Sequence, residues 1–136
     1  DVERSRGLGD VYKRQLLLSL FIFGCSDDNG KSQENDNAEY YVKYEATVSS
    51  RYPSDGIFYT VATENGTEIF TNKKSLNVTF GPLKKGFTAE LSIDASSLYI
   101  ADCTANIYVC RGCEPFSLKA TGTGSKGVWI TYTIDY

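Results

Sequence analysis

Two stretches of this 136-residue chain place nucleophilic side chains at spacings that could do chemistry: Cys110-Arg111-Gly112-Cys113, and the lone Cys25 followed by Ser26-Asp27-Asp28. A redox Cys-x-x-Cys pair works when a helix N-terminus stabilises one thiolate. A structural zinc site takes four ligands from cysteine, histidine or carboxylate. The chain has four cysteines in all and no histidine, which removes the commonest general base and the commonest metal ligand. There is no Gly-x-Ser-x-Gly elbow and no glycine loop of the phosphate-cradling type. The acids alternate along extended segments or sit in turns, where solvated charge is the ordinary reading. A carboxylate-only glycosidase would need two acids facing a cleft, and a domain this small offers little cleft. No catalytic residue, cofactor or metal site is therefore expected, and the chain reads as a non-enzyme.

The elements that carry these residues follow from period two, the signature of a strand with one wet face. Tyr40, Val42, Tyr44, Ala46 and Val48 alternate with Tyr41, Lys43, Glu45, Thr47 and Ser49. Ile57, Tyr59 and Val61 open a second strand. Glu64-Asn65-Gly66 carries the Asn-Gly hairpin signal and leads into Thr67–Thr71. Leu76, Val78 and Phe80 form a fourth, ended by Gly81-Pro82; Phe87–Asp94 and Val128–Asp135 alternate likewise. Seven or eight short strands predict an all-β domain over residues 39–136, a single antiparallel, immunoglobulin-like β-sandwich. If Arg111-Gly112 is a two-residue turn, Cys110 opposes Cys113, Ile107 opposes Phe116, Ala105 opposes Leu118 and Cys103 opposes Ala120. That register sorts apolar residues onto one face and puts the first pair within disulfide reach. Cys103 would lie roughly 23 Å from the turn, beyond bridging distance. The expectation is a Cys110–Cys113 disulfide, if one forms, and a buried Cys103 thiol.

Leu16–Phe23 reads LLLSLFIF before Gly24-Cys25. Eight residues are too few to span a bilayer. The run Ile22-Phe23-Gly24-Cys25 resembles the bacterial lipobox, with Phe23 bulkier than usual. That resemblance implies that residues 16–24 are the end of a signal peptide and that Cys25 carries acyl chains. Each buried methylene contributes about 0.8 kcal/mol, so several chains anchor durably. Residues 25–38 then hold four acids, one base and nothing large and apolar, the composition of a disordered tether. Serine and acids directly after the cysteine resemble the surface-export signal of Bacteroidota lipoproteins; a plain spacer on a periplasm-facing lipoprotein is the competing reading. The segment Ser5–Gln15 resembles translated sequencing-adapter DNA, and residues 1–15 are expected to be non-native. The localisation implied is the cell envelope, lipid-anchored at the outer membrane and exposed at the surface if the export signal is read.

The domain carries nine bases and ten acids, so nothing in its charge favours nucleic acid. What remains is binding. Trp129, Tyr41 and Tyr108 fall on the outward face of their strands and are the candidate surface for a glycan or protein ligand. For Trp129 the alternative is cover by a neighbouring loop or sheet. Lys73-Lys74 and Lys84-Lys85 flank turns, where solubility is the ordinary explanation. The strings Val42–Ser50, Ile57–Val61 and Ile107–Gly112 are similar to the MmpS family of small mycobacterial membrane proteins. That resemblance implies a short β-sandwich and, as the alternative function, an accessory subunit of an envelope transporter. The family's Pro-Trp between the middle strands is missing here. Sequence assigns no oligomeric state.

Overall fold

The structure, a computed structural model, describes residues 37–135. The expectations for residues 1–36, including the adapter-like segment, the signal-peptide stretch, Cys25 and nearly all of the tether, lie outside the described residues. Eight strands run through the rest: β1 Tyr40–Ser49, β2 Phe58–Thr63, β3 Gly66–Thr71, β4 Ser75–Leu83, β5 Thr88–Asp94, β6 Asp102–Arg111, β7 Ser117–Ser125 and β8 Gly127–Thr133. They form two antiparallel four-stranded sheets, ordered β4-β1-β6-β7 and β3-β2-β5-β8. The all-β sandwich read from alternation is the observed fold.

The apolar half of each alternation faces the opposite sheet. Tyr40, Val42, Tyr44, Ala46 and Val48 of β1 meet Tyr59 and Val61 of β2, Leu91 and Ile93 of β5, and Cys103, Ala105, Ile107 and Val109 of β6 in one buried cluster. Two core tyrosines need partners for their hydroxyls. Tyr44 Oη donates to the Ala62 carbonyl at 2.7 Å, crossing from one sheet to the other, and Tyr59 Oη donates to the Lys73 carbonyl at 2.8 Å. Among the described residues, no buried side-chain polar atom lacks a partner.

Three sequence-level expectations give way to the structure. Gly81-Pro82 does not end the fourth strand, which runs on to Leu83. β4 is an edge strand, and an edge tolerates proline's missing N–H. The β1–β4 register shifts between Tyr40 and Val42 to absorb the irregularity. The β6–β7 hairpin does not turn at Arg111-Gly112 alone. Its register places Ile107 opposite Ala120 and Cys103 opposite Gly124, four residues beyond expectation, with a bulge between Ile107 and Tyr108. A β-turn closed by the Glu114 N–H on the Arg111 carbonyl starts a longer connection, and the Gly112 N–H is taken by the Glu39 carbonyl. Gly112 has φ +55°, so glycine takes the left-handed position and Arg111 escapes the strain a two-residue turn would impose.

The third correction follows. Cys110 is a free, buried thiol, so the expected Cys110–Cys113 bridge is not formed. Cys110 pairs with Tyr41 across β1, while Cys113 sits past the strand end on the exposed turn. Cys103 is free and buried, as alternation predicts.

Candidate binding face

Of the three aromatic candidates, the fold brings two together and separates the third. Tyr41 and Tyr108 both lie on the outer face of the β4-β1-β6-β7 sheet. Tyr41 pairs with Cys110 and Lys43 with Tyr108, so the two rings are diagonal neighbours. Trp129 is on the outer face of the other sheet. It is 63% exposed, and its indole N–H donates to Glu90 Oε1 at 2.8 Å. No loop covers it. Strand pairing sets Ile69, Thr60, Ser92 and Trp129 in one row across that sheet.

A depression lies on the outer face of the first sheet. Glu45 and Thr47 of β1, Ser75 and Asn77 of β4, and Thr104 and Asn106 of β6 line a shallow depression of about 330 Å³, at the small end of ligand-pocket sizes. Each is on the polar half of its alternation. The three strands are neighbours, so their outward side chains stand about 5 Å apart from strand to strand. Two of the lining groups are held in place. Glu45 Oε1 is 2.9 Å from Lys43 Nζ. Asn106 accepts a 2.7 Å hydrogen bond from Thr121 Oγ1 on its carbonyl oxygen, which leaves its amide N–H donors for another group.

Next along the same face, beyond the Glu45–Asn106 pair, come Lys43 and Tyr108. Lys43 Nζ stands 4.5 Å from the centre of the Tyr108 ring and 5.3 Å from that of Phe116, within cation–π range. Leu118, opposite Tyr108, is 52% exposed and Phe116 is 38% exposed. Sequence reasoning put both in the core by opposing them to Ala105 and Ile107. The bulge at Ile107/Tyr108 reverses the side on which Leu118 emerges, and the longer connection carries Phe116 outward with it. Cys110, on this same outward face, is nevertheless buried. Burial pushes its thiol pKa up, and the nearby Glu114 charge adds to the rise, while a hydrogen bond from the Tyr41 backbone works the other way.

The polar lining residues were not singled out from sequence. Alternation gives each one's outward orientation, but nothing in the order of residues says that β1 lies between β4 and β6. No family model matches the chain, and neither a curated protein nor a solved structure matches it.

Proposed function

We propose that the protein is a non-catalytic cell-envelope binding module that takes a small saccharide on the outer face of the β4-β1-β6-β7 sheet. One observation carries the reading: a depression lined by a carboxylate, two amides and three hydroxyls over Ala46 and Leu76, with Tyr108 on the same face one pair further along β1 and β6. Sugars present vicinal hydroxyls that pair with amides and carboxylates, and apolar C–H faces that lie on aromatic rings. The depression is lined by one carboxylate, Glu45, which is ion-paired to Lys43. Glycoside hydrolysis employs two carboxylates, so the lining suits holding a sugar better than cleaving one. Attachment through an acylated Cys25, with the domain on a short acidic tether, belongs to the same reading and rests on the lipobox resemblance.

The test is a glycan array followed by calorimetry on the best binder. The expected result is binding of one saccharide class, weakened at least tenfold by Asn106→Ala and by Asn77→Ala and unchanged by Trp129→Ala. A site built to hydrogen-bond hydroxyls loses much when one partner is removed. Silence across the array, or binding that follows Trp129 instead of Asn106, overturns the assignment.

A further inference from the structure

The pole of the sandwich opposite the start of β1 gathers three loops, residues 50–57, 72–74 and 95–101, together with Lys126. It is the most apolar exposed region outside the sheet faces. Tyr99 is 75% exposed, the adjacent Ile100 60% and Tyr52 43%. The two tyrosine rings meet edge to face, with centres 6.5 Å apart. Apolar side chains on a projecting loop are commonly mobile, but here the backbone beneath them is tied down. Ser50 Oγ donates to the Ile100 carbonyl, Lys74 Nζ to the Ser50 carbonyl and Ser97 Oγ to the Gly56 carbonyl, at 2.9, 2.9 and 3.0 Å. The Gly56 N–H donates to Asn72 Oδ1, and Ser54 Oγ donates to the Asn72 carbonyl. The Lys126 N–H donates to the Ala101 carbonyl. Every loop is therefore fixed to its neighbour while the apolar tip stays bare.

Cations collar the tip. The loops contain Arg51, Lys73, Lys74 and Lys126 against one acid, Asp55, with Asp94 and Asp102 at the adjoining strand ends. Asp94 is occupied as a cap, accepting from the Ser96 N–H at 2.9 Å. Lys73 Nζ lies over the Phe70 ring; Arg51 adjoins Tyr52 in the chain, Lys74 Nζ sits on the carbonyl of Ser50, whose hydroxyl holds Ile100, and the Lys126 backbone is bonded to Ala101, next to Ile100.

We propose that this pole is a membrane-contact tip: Tyr52, Tyr99 and Ile100 enter the headgroup–acyl boundary of a bilayer containing anionic lipid, with Arg51, Lys74 and Lys126 at the phosphates. Chemistry favours a bilayer over a protein partner: exposed Tyr52, Tyr99 and Ile100 share their loops with Arg51, Lys73, Lys74 and Lys126 and one acid, Asp55. The lipid interface has no fixed shape to match. It accepts tyrosine, with an apolar ring and a wet hydroxyl, and negative lipid attracts nearby lysine and arginine. The tip is independent of the saccharide face and does not depend on acylation of Cys25.

The test uses the full chain carrying Trp129→Phe and Tyr99→Trp, so that one indole reports on the tip alone. It is mixed with phosphatidylcholine vesicles, with or without phosphatidylglycerol, whose acyl chains carry bromine. The expected result is strong quenching on the vesicles with phosphatidylglycerol and at least tenfold weaker association without it. Adding Arg51→Glu and Lys126→Glu, or Ile100→Ser, should abolish the quenching while the circular dichroism spectrum is unchanged. Association through the apolar Leu16–Phe23 stretch would leave the tip indole unquenched, and so would no association; either result overturns the proposal. Equal quenching on neutral vesicles overturns the cationic collar. Binding of a soluble protein that requires Tyr99, with vesicles ignored, overturns it in favour of a protein partner.

Discussion

Cys110 shows how much a single residue's chemistry depends on its neighbours. By sequence it is half of a Cys-x-x-Cys pair. In the fold it lies on the outward side of β6 yet is buried beside Tyr41. Its pKa and that of Cys103 are raised, chiefly by burial, so neither side chain is a ready thiolate. Maleimide should leave both unlabelled in the folded protein and label both in urea. Peptide mapping without reductant should recover Cys110 as a free thiol. Recovery of a peptide linking Cys110 to Cys113 would contradict the observed turn. Trp129 illustrates the opposite case. Alternation alone puts it outside, and it is outside, but the residue that orients its ring, Glu90, is 39 positions away.

At the scale of elements, the junction of β7 and β8 decides the shape of one side of the sandwich. The two strands belong to different sheets, and only Lys126 separates them. Such a crossing needs close backbone approach, and glycines supply it. A Cβ at Gly124 would collide with the Gly127 carbonyl oxygen, and one at Gly122 would come within 2.6 Å of an Ile130 methyl. Lys126 takes φ +63° at the corner itself. Gly124→Ala should destabilise the protein by about 1–3 kcal/mol, read as a lower urea midpoint. Gly122→Ala should cost less, because a side-chain methyl yields more readily than a backbone carbonyl. Equal midpoints for wild type and Gly124→Ala would mean that the corner is looser than described. At the other end of β7, the connection from Arg111 to Ser117 is longer than a two-residue turn, which moves the register four residues past the one that a minimal turn would set.

For the whole molecule, the buried core tyrosines tie global stability to alkaline pH. Burial pushes the hydroxyls of both Tyr44 and Tyr59 up to about 12, from an ordinary value of 10.0. Below pH 10 both are protonated folded or unfolded, and they give no pH dependence. Between pH 10 and 12 the unfolded chain releases protons that the folded state retains, so stability falls as pH rises. Urea midpoints should be level just below pH 10 and drop steadily towards pH 12, in step with phenolate absorbance. Tyr44→Phe should lower the midpoint at neutral pH by removing the Ala62 hydrogen bond, and should flatten the alkaline slope. A slope identical to wild type would show that Tyr44 does not titrate with unfolding.

Much of this architecture was legible in the order of residues. Alternation marked which side of β1, β2, β5, β6 and β8 faces the core, because side chains on an extended backbone alternate irrespective of what packs on them. The outward Trp129 and the buried Cys103 follow from the same local geometry, and the β2–β3 hairpin from the turn residues Glu64-Asn65-Gly66. Strand order does not, since it depends on which distant segments pair. Only the tertiary structure could place Glu45 between Asn77 and Asn106, put Tyr108 and Trp129 on opposite sheets, or bring Ser50, Gly56 and Asn72 together under a bare Tyr99-Ile100 tip. The thiol pair that opened the reading changed most. Its spacing is local, but whether a bridge forms depends on the turn, where the Glu39 carbonyl takes the Gly112 N–H and the connection to β7 runs past a two-residue loop.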